Sequence, residues 1–299
     1  VTTTALCLVL AAAVLHAIWN IAAKRVGEDG YLFVWWYNLF STVLGVPIAV
    51  VLLARAGWPL EWPLLYAPVI SALIHIVYQL TLQTGYARAD LNVVYPVARG
   101  TGPLLTMLVA IAFLGERPGI GAVIGGLVVI AGIVVVATGK RAPTGSSADG
   151  RAGAAHPGAA SGLLWGTATG IGIAGYTLWD DHSVAELALL PIVYFAFTVA
   201  WQTALLTPGA FRRGRQGKAL GILRRHRREI AIVAVLSPLA YILVLEAMRT
   251  VPVSLVAPAR EASIVVGSLL AWWLFKEPHP ARRLVGAAIV LAGIALIVG

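Results

Sequence analysis

At residues 95–102 the chain reads YPVARGTG, and at 257–263 it reads APAREAS. Each stretch sets an arginine, Arg99 and then Arg260, inside an apolar run, and the two arginines lie 161 positions apart. In a soluble protein an arginine is a solvated surface residue. In a bilayer-spanning helix it costs about 2.5–3.5 kcal/mol on insertion scales, so it faces water or a partner. Which case applies depends on the runs around them.

The 299 residues are 59% hydrophobic and 12% charged. A soluble domain is roughly half apolar and about a quarter charged. So little charge cannot cover a water-facing surface, and the chain reads as an integral membrane protein. Apolar runs long enough to cross the hydrocarbon core lie near 3–23, 31–54, 63–86, 91–114, 119–138, 160–179, 184–206, 230–248, 252–275 and 281–298. None alternates as a membrane β-strand would. The expected fold is therefore all-α, with ten transmembrane helices. The first run reads as a span and not as a signal peptide, because no basic region precedes it and His16 and Asn20 interrupt it. One cysteine, Cys7, leaves no disulfide framework and no thiol cluster for a metal. No cofactor is expected.

The stretch 139–159 is rich in Gly, Ala, Pro and Ser and reads as a flexible linker. It divides the chain into 1–138 and 160–299. Sliding one part over the other by 161 residues places Arg88 on Arg249, Arg99 on Arg260 and Glu116 on Glu277. Abundant Leu and Val match by chance, but scarce charged residues do not. Five is odd, so two consecutive five-helix copies enter the membrane in opposite directions, an inverted repeat whose interface can open to either side by rocking.

The first-helix stretch LHAIWNIAAKR (15–25), LGERP (114–118) after the fourth run and FKEPHP (275–280) after the ninth resemble the EamA-type branch of the drug/metabolite transporter superfamily. That resemblance covers essentially the whole chain. It implies secondary transport of small metabolites, usually export, through a central cavity lined by helices 1, 3, 4, 6, 8 and 9. The first-helix pattern is also similar to a subgroup found near phosphonate-use functions.

Arg99 and Arg260 each fall about nine residues into a run, roughly 13 Å deep at 1.5 Å per residue. Guanidinium suits a carboxylate or phosphate group of a substrate. Alternatively, each arginine caps carbonyls freed by Pro96 or Pro258, or pairs with an acid. Glu261, beside Arg260, either neutralises an arginine or takes a proton when that pairing breaks. Glu246 is a second coupling candidate. Ser71, His75, Gln79 and Gln83 recur every four residues and form one polar stripe, with Tyr78 alongside. The stripe reads as a cavity wall or as interhelical hydrogen bonding. His16, Trp19 and Asn20 in the first run, Tyr95 beside Arg99, and Tyr176 and Trp179 in the sixth complete the candidate substrate-binding set. Asp180 is expected at a helix end. Glu116 and Glu277 are expected to hold short turns, and Trp35, Trp36, Trp58, Trp62, Trp272 and Trp273 to anchor the interface or pack.

No phosphate-cradling loop, HExxH or paired intramembrane aspartates occurs, so no enzyme is expected. The rival class is a membrane-embedded binding, sensor or lipid-handling protein without solute flux. Expected partners are a small-molecule substrate, membrane lipids and a second copy of the chain; the small residues of 119–132 and 286–293 suit close packing, as a scaffold within the chain or as a dimer face, and the basic residues point to headgroups and not to nucleic acid. Seventeen Lys and Arg follow odd-numbered runs and three follow even-numbered ones. The positive-inside rule then puts both termini outside the cytoplasm, whereas the family resemblance implies cytoplasmic termini.

Overall fold

A computed structural model describes residues 3–26, 30–59, 61–89, 91–137, 157–212, 215–266 and 280–298. Among these residues there is no strand. The helices are α1 (Thr3–Lys24), α2 (Gly30–Arg55), α3 (Trp62–Arg88), α4 (Leu91–Phe113), α5 (Ile120–Ala137), α6 (Pro157–Asp181), α7 (Pro191–Ala210), α8 (Gln216–Met248), α9 (Val253–Arg260) and α10 (Pro280–Val298). Helices α1, α2, α3, α4, α7 and α8 are long and apolar enough to cross a membrane, and α5 and α10 contain shorter apolar helices. The expected linker lies outside the described residues except for its last three, which open α6. Glu277, Trp272 and Trp273 lie outside them too.

Three helix boundaries depart from the apolar runs. After α6 comes a π-helical turn, His182–Glu186, and Ala188 takes a left-handed φ of 53°. Pro191, whose ring presets a helical φ and whose missing N–H costs nothing at a first turn, then starts α7 seven residues later than the run suggests. Helix α8 begins at Gln216, so most of the arginine-rich stretch between the apolar runs 184–206 and 230–248 is helical and continuous with the span, bent at His226 (φ −119°, ψ 27°). Its apolar side decides this. Ala219 and Ile222 are buried with Phe33, Trp35 and Leu206, and Trp36 Nε1 donates to the Ala219 carbonyl at 2.8 Å.

The third departure is in the ninth run. Regular helix stops at Arg260, Glu261 forms a turn, and helix resumes over 262–266. The Glu261 N–H bonds back three residues to the Pro258 carbonyl at 3.0 Å. A helix broken inside a bilayer must satisfy its freed groups from protein or cavity water. The break falls at the two charged residues.

Helices pair closely where glycines remove side chains. A Cβ at Gly125 would lie 2.6 Å from the Gly293 carbonyl oxygen, and one at Gly132 would lie 3.1 Å from that of Gly286, so the small faces of α5 and α10 are turned onto each other. Likewise, a Cβ at Gly166 or Gly170 of α6 would meet Val97 or Thr101 of α4. On the α2–α7 contact, Thr42 and Thr203 share a hydrogen bond of 3.0 Å. The largest cluster of buried side chains joins α1, α2, α3, α7, α8 and α9, while Val43, Val77 and Phe113 point outward and are exposed, as lipid-facing residues are.

Candidate functional site

Glu261 has no accessible surface. The break in the ninth run turns its carboxylate towards two cations: Arg99 Nη1 of α4 lies 3.1 Å from Oε2, and Arg260 Nη2 lies 3.4 Å from Oε1. Two guanidinium groups thus share one carboxylate, a local charge of +1. Arg260 is 4% exposed, and its Nε has no hydrogen-bond partner among the described residues; nor do His16 Nε2 and Trp19 Nε1. His16, which meets Trp19 edge-on at 4.7 Å, is within electrostatic reach of both arginines. Arg260 Nε and Trp19 Nε1 are donors, and buried donors without acceptors are costly and uncommon. The same donors would suit an incoming anion.

Aromatic rings wall this charge. Arg99 lies 5.6 Å from the Tyr95 centroid, and Arg260 lies 5.8 Å from that of Tyr176. Tyr78 leans on Tyr176 at 5.3 Å, and on another side His75 stacks on Tyr176 at 4.2 Å.

Beyond His75 is a second buried carboxylate. Asp180 stands near the end of α6, as expected, but it has no accessible surface there. Its Oδ1 accepts from Ser71 of α3 and Tyr194 of α7, and its Oδ2 accepts from Tyr241 of α8, each at 2.6 Å. Asp180, Tyr194 and Tyr241 were not among the sequence candidates. The carboxylate was visible in the sequence as the scarce acid of the sixth run, but its hydroxyl donors come from helices whose tyrosines carry no periodic signal.

Structure and sequence diverge for several other candidates. Trp179 Nε1 donates to the Ala67 carbonyl at 3.0 Å, tying α6 to α3. Asn20 Nδ2 donates to the His16 carbonyl of its own helix at 2.7 Å. Gln79 is half-buried on the stripe face of α3, and the side chain of Gln83 lies outside the described residues. Glu246 is half-exposed and pairs with Arg249 at 3.0 Å, on the same helix face and apart from the arginine pair. Glu116 closes its own turn with its backbone N–H, which donates to the Ala110 carbonyl at 3.2 Å, but its side chain does more. It reaches α9 and accepts from the Val253 and Ser254 N–H groups at 2.9 and 3.1 Å, capping the helix that carries Arg260.

The model of the EamA-like transporter family matches residues 3–138 and again residues 160–299. The chain belongs to this family. This EamA transporter is a multi-pass membrane protein. It is 34% identical over 70 residues to a protein of Serratia proteamaculans (strain 568) described as a probable 4-amino-4-deoxy-L-arabinose-phosphoundecaprenol flippase subunit ArnE. The match covers 23% of this chain and 61% of that relative, so less than two thirds of the relative's length is represented. A protein crystal structure shares the fold at a TM-score of 0.75 and 19% identity, over 99% of this chain and 96% of that one.

Proposed function

We propose that this EamA transporter is a secondary transporter of the inner membrane that exports a small anionic or zwitterionic metabolite, with a proton taking part in its cycle. The observation that carries this reading is the pair of buried guanidinium groups, one from each half of the chain, that share a single carboxylate and leave one positive charge for a substrate. Carboxylate and phosphate oxygens match the guanidinium fork, and the rings of Tyr95, Tyr176, Tyr78 and Trp19 supply the walls.

The architecture in this reading is ten spans in two inverted five-helix repeats, 1–138 and 160–299, joined by the linker 139–159. Contacts related by the 161-residue offset support it. Thr42 meets its own counterpart, Thr203. Gly125 faces Gly293, and their counterparts Gly286 and Gly132 face each other. Exchanging the halves maps each of these contacts onto itself or onto another, as a pseudo-twofold axis in the membrane plane requires.

Flux tests the reading. Proteoliposomes holding Arg99→Ala or Arg260→Ala should lose substrate-dependent flux by about tenfold or more, since each removes a charge-assisted contact of about 1.5–3 kcal/mol; normal flux in both variants would remove the arginines from the site. A second reading, a lipid-handling protein without solute flux, is favoured by the ArnE match. It predicts lipid reorientation in liposomes in place of solute movement.

A further inference from the structure

The His75–Asp180 contact has an unfilled position. His75 Nδ1 lies 2.9 Å from the Ser71 carbonyl oxygen. A carbonyl only accepts, so Nδ1 carries the hydrogen, and in a neutral imidazole Nε2 then holds a lone pair. That Nε2 is 3.9 Å from Asp180 Oδ2. Asp180 accepts from three hydroxyls across both oxygens, the pattern of an ionised carboxylate. Two acceptors therefore face each other across a gap too long for a hydrogen bond. A proton on Nε2 would replace that opposition with an attraction between unlike charges.

We propose that Nε2 of His75, opposite Asp180, is the proton-binding position of the transport cycle, and that an anion held by the arginine pair draws the proton in. The proposal rests on the anion-transport reading above. The proton comes from solution, adds to the Nε2 lone pair and returns to solution from it; no other bond forms or breaks.

Charge balance links the two positions. The groups around His75 are Ser71 on its own helix, Tyr176 and Asp180 from α6, Tyr194 from α7 through Asp180, Tyr241 from α8 and Arg260 from α9. Asp180 attracts a charged imidazole and Arg260 repels it. The +1 left at the arginine pair by Glu261 is matched, across Tyr176, by the carboxylate of Asp180, with the Asp181 carboxyl beside it. An anion at the arginines leaves one excess negative charge in a low-dielectric interior, and a proton on His75 cancels it. Tyr176, with His75 on its face and Arg260 close by, keeps the two charges near enough to sense each other. Linkage is reciprocal, so the proton strengthens anion binding as the anion strengthens proton binding. Bound together, they travel together, so export proceeds when the outward anion gradient exceeds the inward proton gradient.

Nitrogen-15 NMR of histidine-labelled full-length protein in lipid nanodiscs tests this without a substrate, with His75→Gln identifying the signal among the six histidines. The empty protein should show a hydrogen on Nδ1 and gain a second on Nε2 as pH falls. Asp180→Asn should weaken the proton affinity of His75 by about tenfold or more, and Arg260→Gln, which mimics the neutralised arginine, should strengthen it comparably. If Asp180→Asn does not fold, Tyr241→Phe removes one hydroxyl from the carboxylate and should strengthen the affinity. A His75 that stays neutral from about pH 4 to 9, or titrates identically in wild type and variants, overturns the proposal. That result leaves the flux loss of the arginine variants standing; a failed flux test leaves this titration standing.

Discussion

Glu261 shows what a single side chain does here. It is the counter-charge of two arginines, and Glu261→Gln preserves its shape while removing its charge. Breaking a buried ion pair by neutralising one partner costs about 3–5 kcal/mol, so the variant should unfold at a clearly lower temperature in nanodiscs, followed by intrinsic fluorescence. Glu246→Gln is the control: its half-exposed pair with Arg249 is worth about 0–1 kcal/mol, and its unfolding temperature should barely move. Arg99, Arg260 and Glu261 stand out in the sequence because a full charge inside an apolar run has few reasons to exist. Asp180 stands at the helix end the sequence suggests, but its burial was not legible there. A carboxylate near a helix end is normally solvated, and the three hydroxyls that let it be buried lie 109, 14 and 61 residues away.

Helices give a second group of expectations. Helix α9 has eight residues, too few to hold Arg260 in place unaided. Its first turn is fixed by Glu116, whose two oxygens accept backbone N–H groups left without partners at a helix N-terminus. Glu116→Ala should cost about 1 kcal/mol, as loss of an N-cap does, and accelerate hydrogen exchange at Val253 and Ser254 by about fivefold. Gly125→Leu should separate α5 from α10, because the Gly293 carbonyl already occupies the space of a Cβ; a lower unfolding temperature than in Ala122→Leu would register it. The run pattern placed α1 to α6 and α10 within a few residues, since apolar length is a direct measure of what a bilayer accepts, but it started α7 seven residues early, across the π-helical turn. It misplaced the start of α8, because a helix lying on other helices needs only one apolar side, and it missed the break at Glu261, which depends on what the turn can bond to.

For the molecule as a whole, orientation is the open physical choice, and loop charge decides it. Excess Lys and Arg on one side favours the cytoplasm, so a reporter fused at residue 215 should be active in the cytoplasm and silent outside; periplasmic activity would reverse the assignment. Membrane residence and a paired charged centre follow from composition and spacing, because bilayer insertion is priced residue by residue and a rare charge in an apolar run is informative by itself. Which acid neutralises which arginine, and that Tyr176 joins the arginines to His75 and Asp180, could be known only once the helices had packed. Those relations are distances between segments far apart in the chain, set by glycine contacts, the Glu116 cap and a helix break, and no local pattern encodes them.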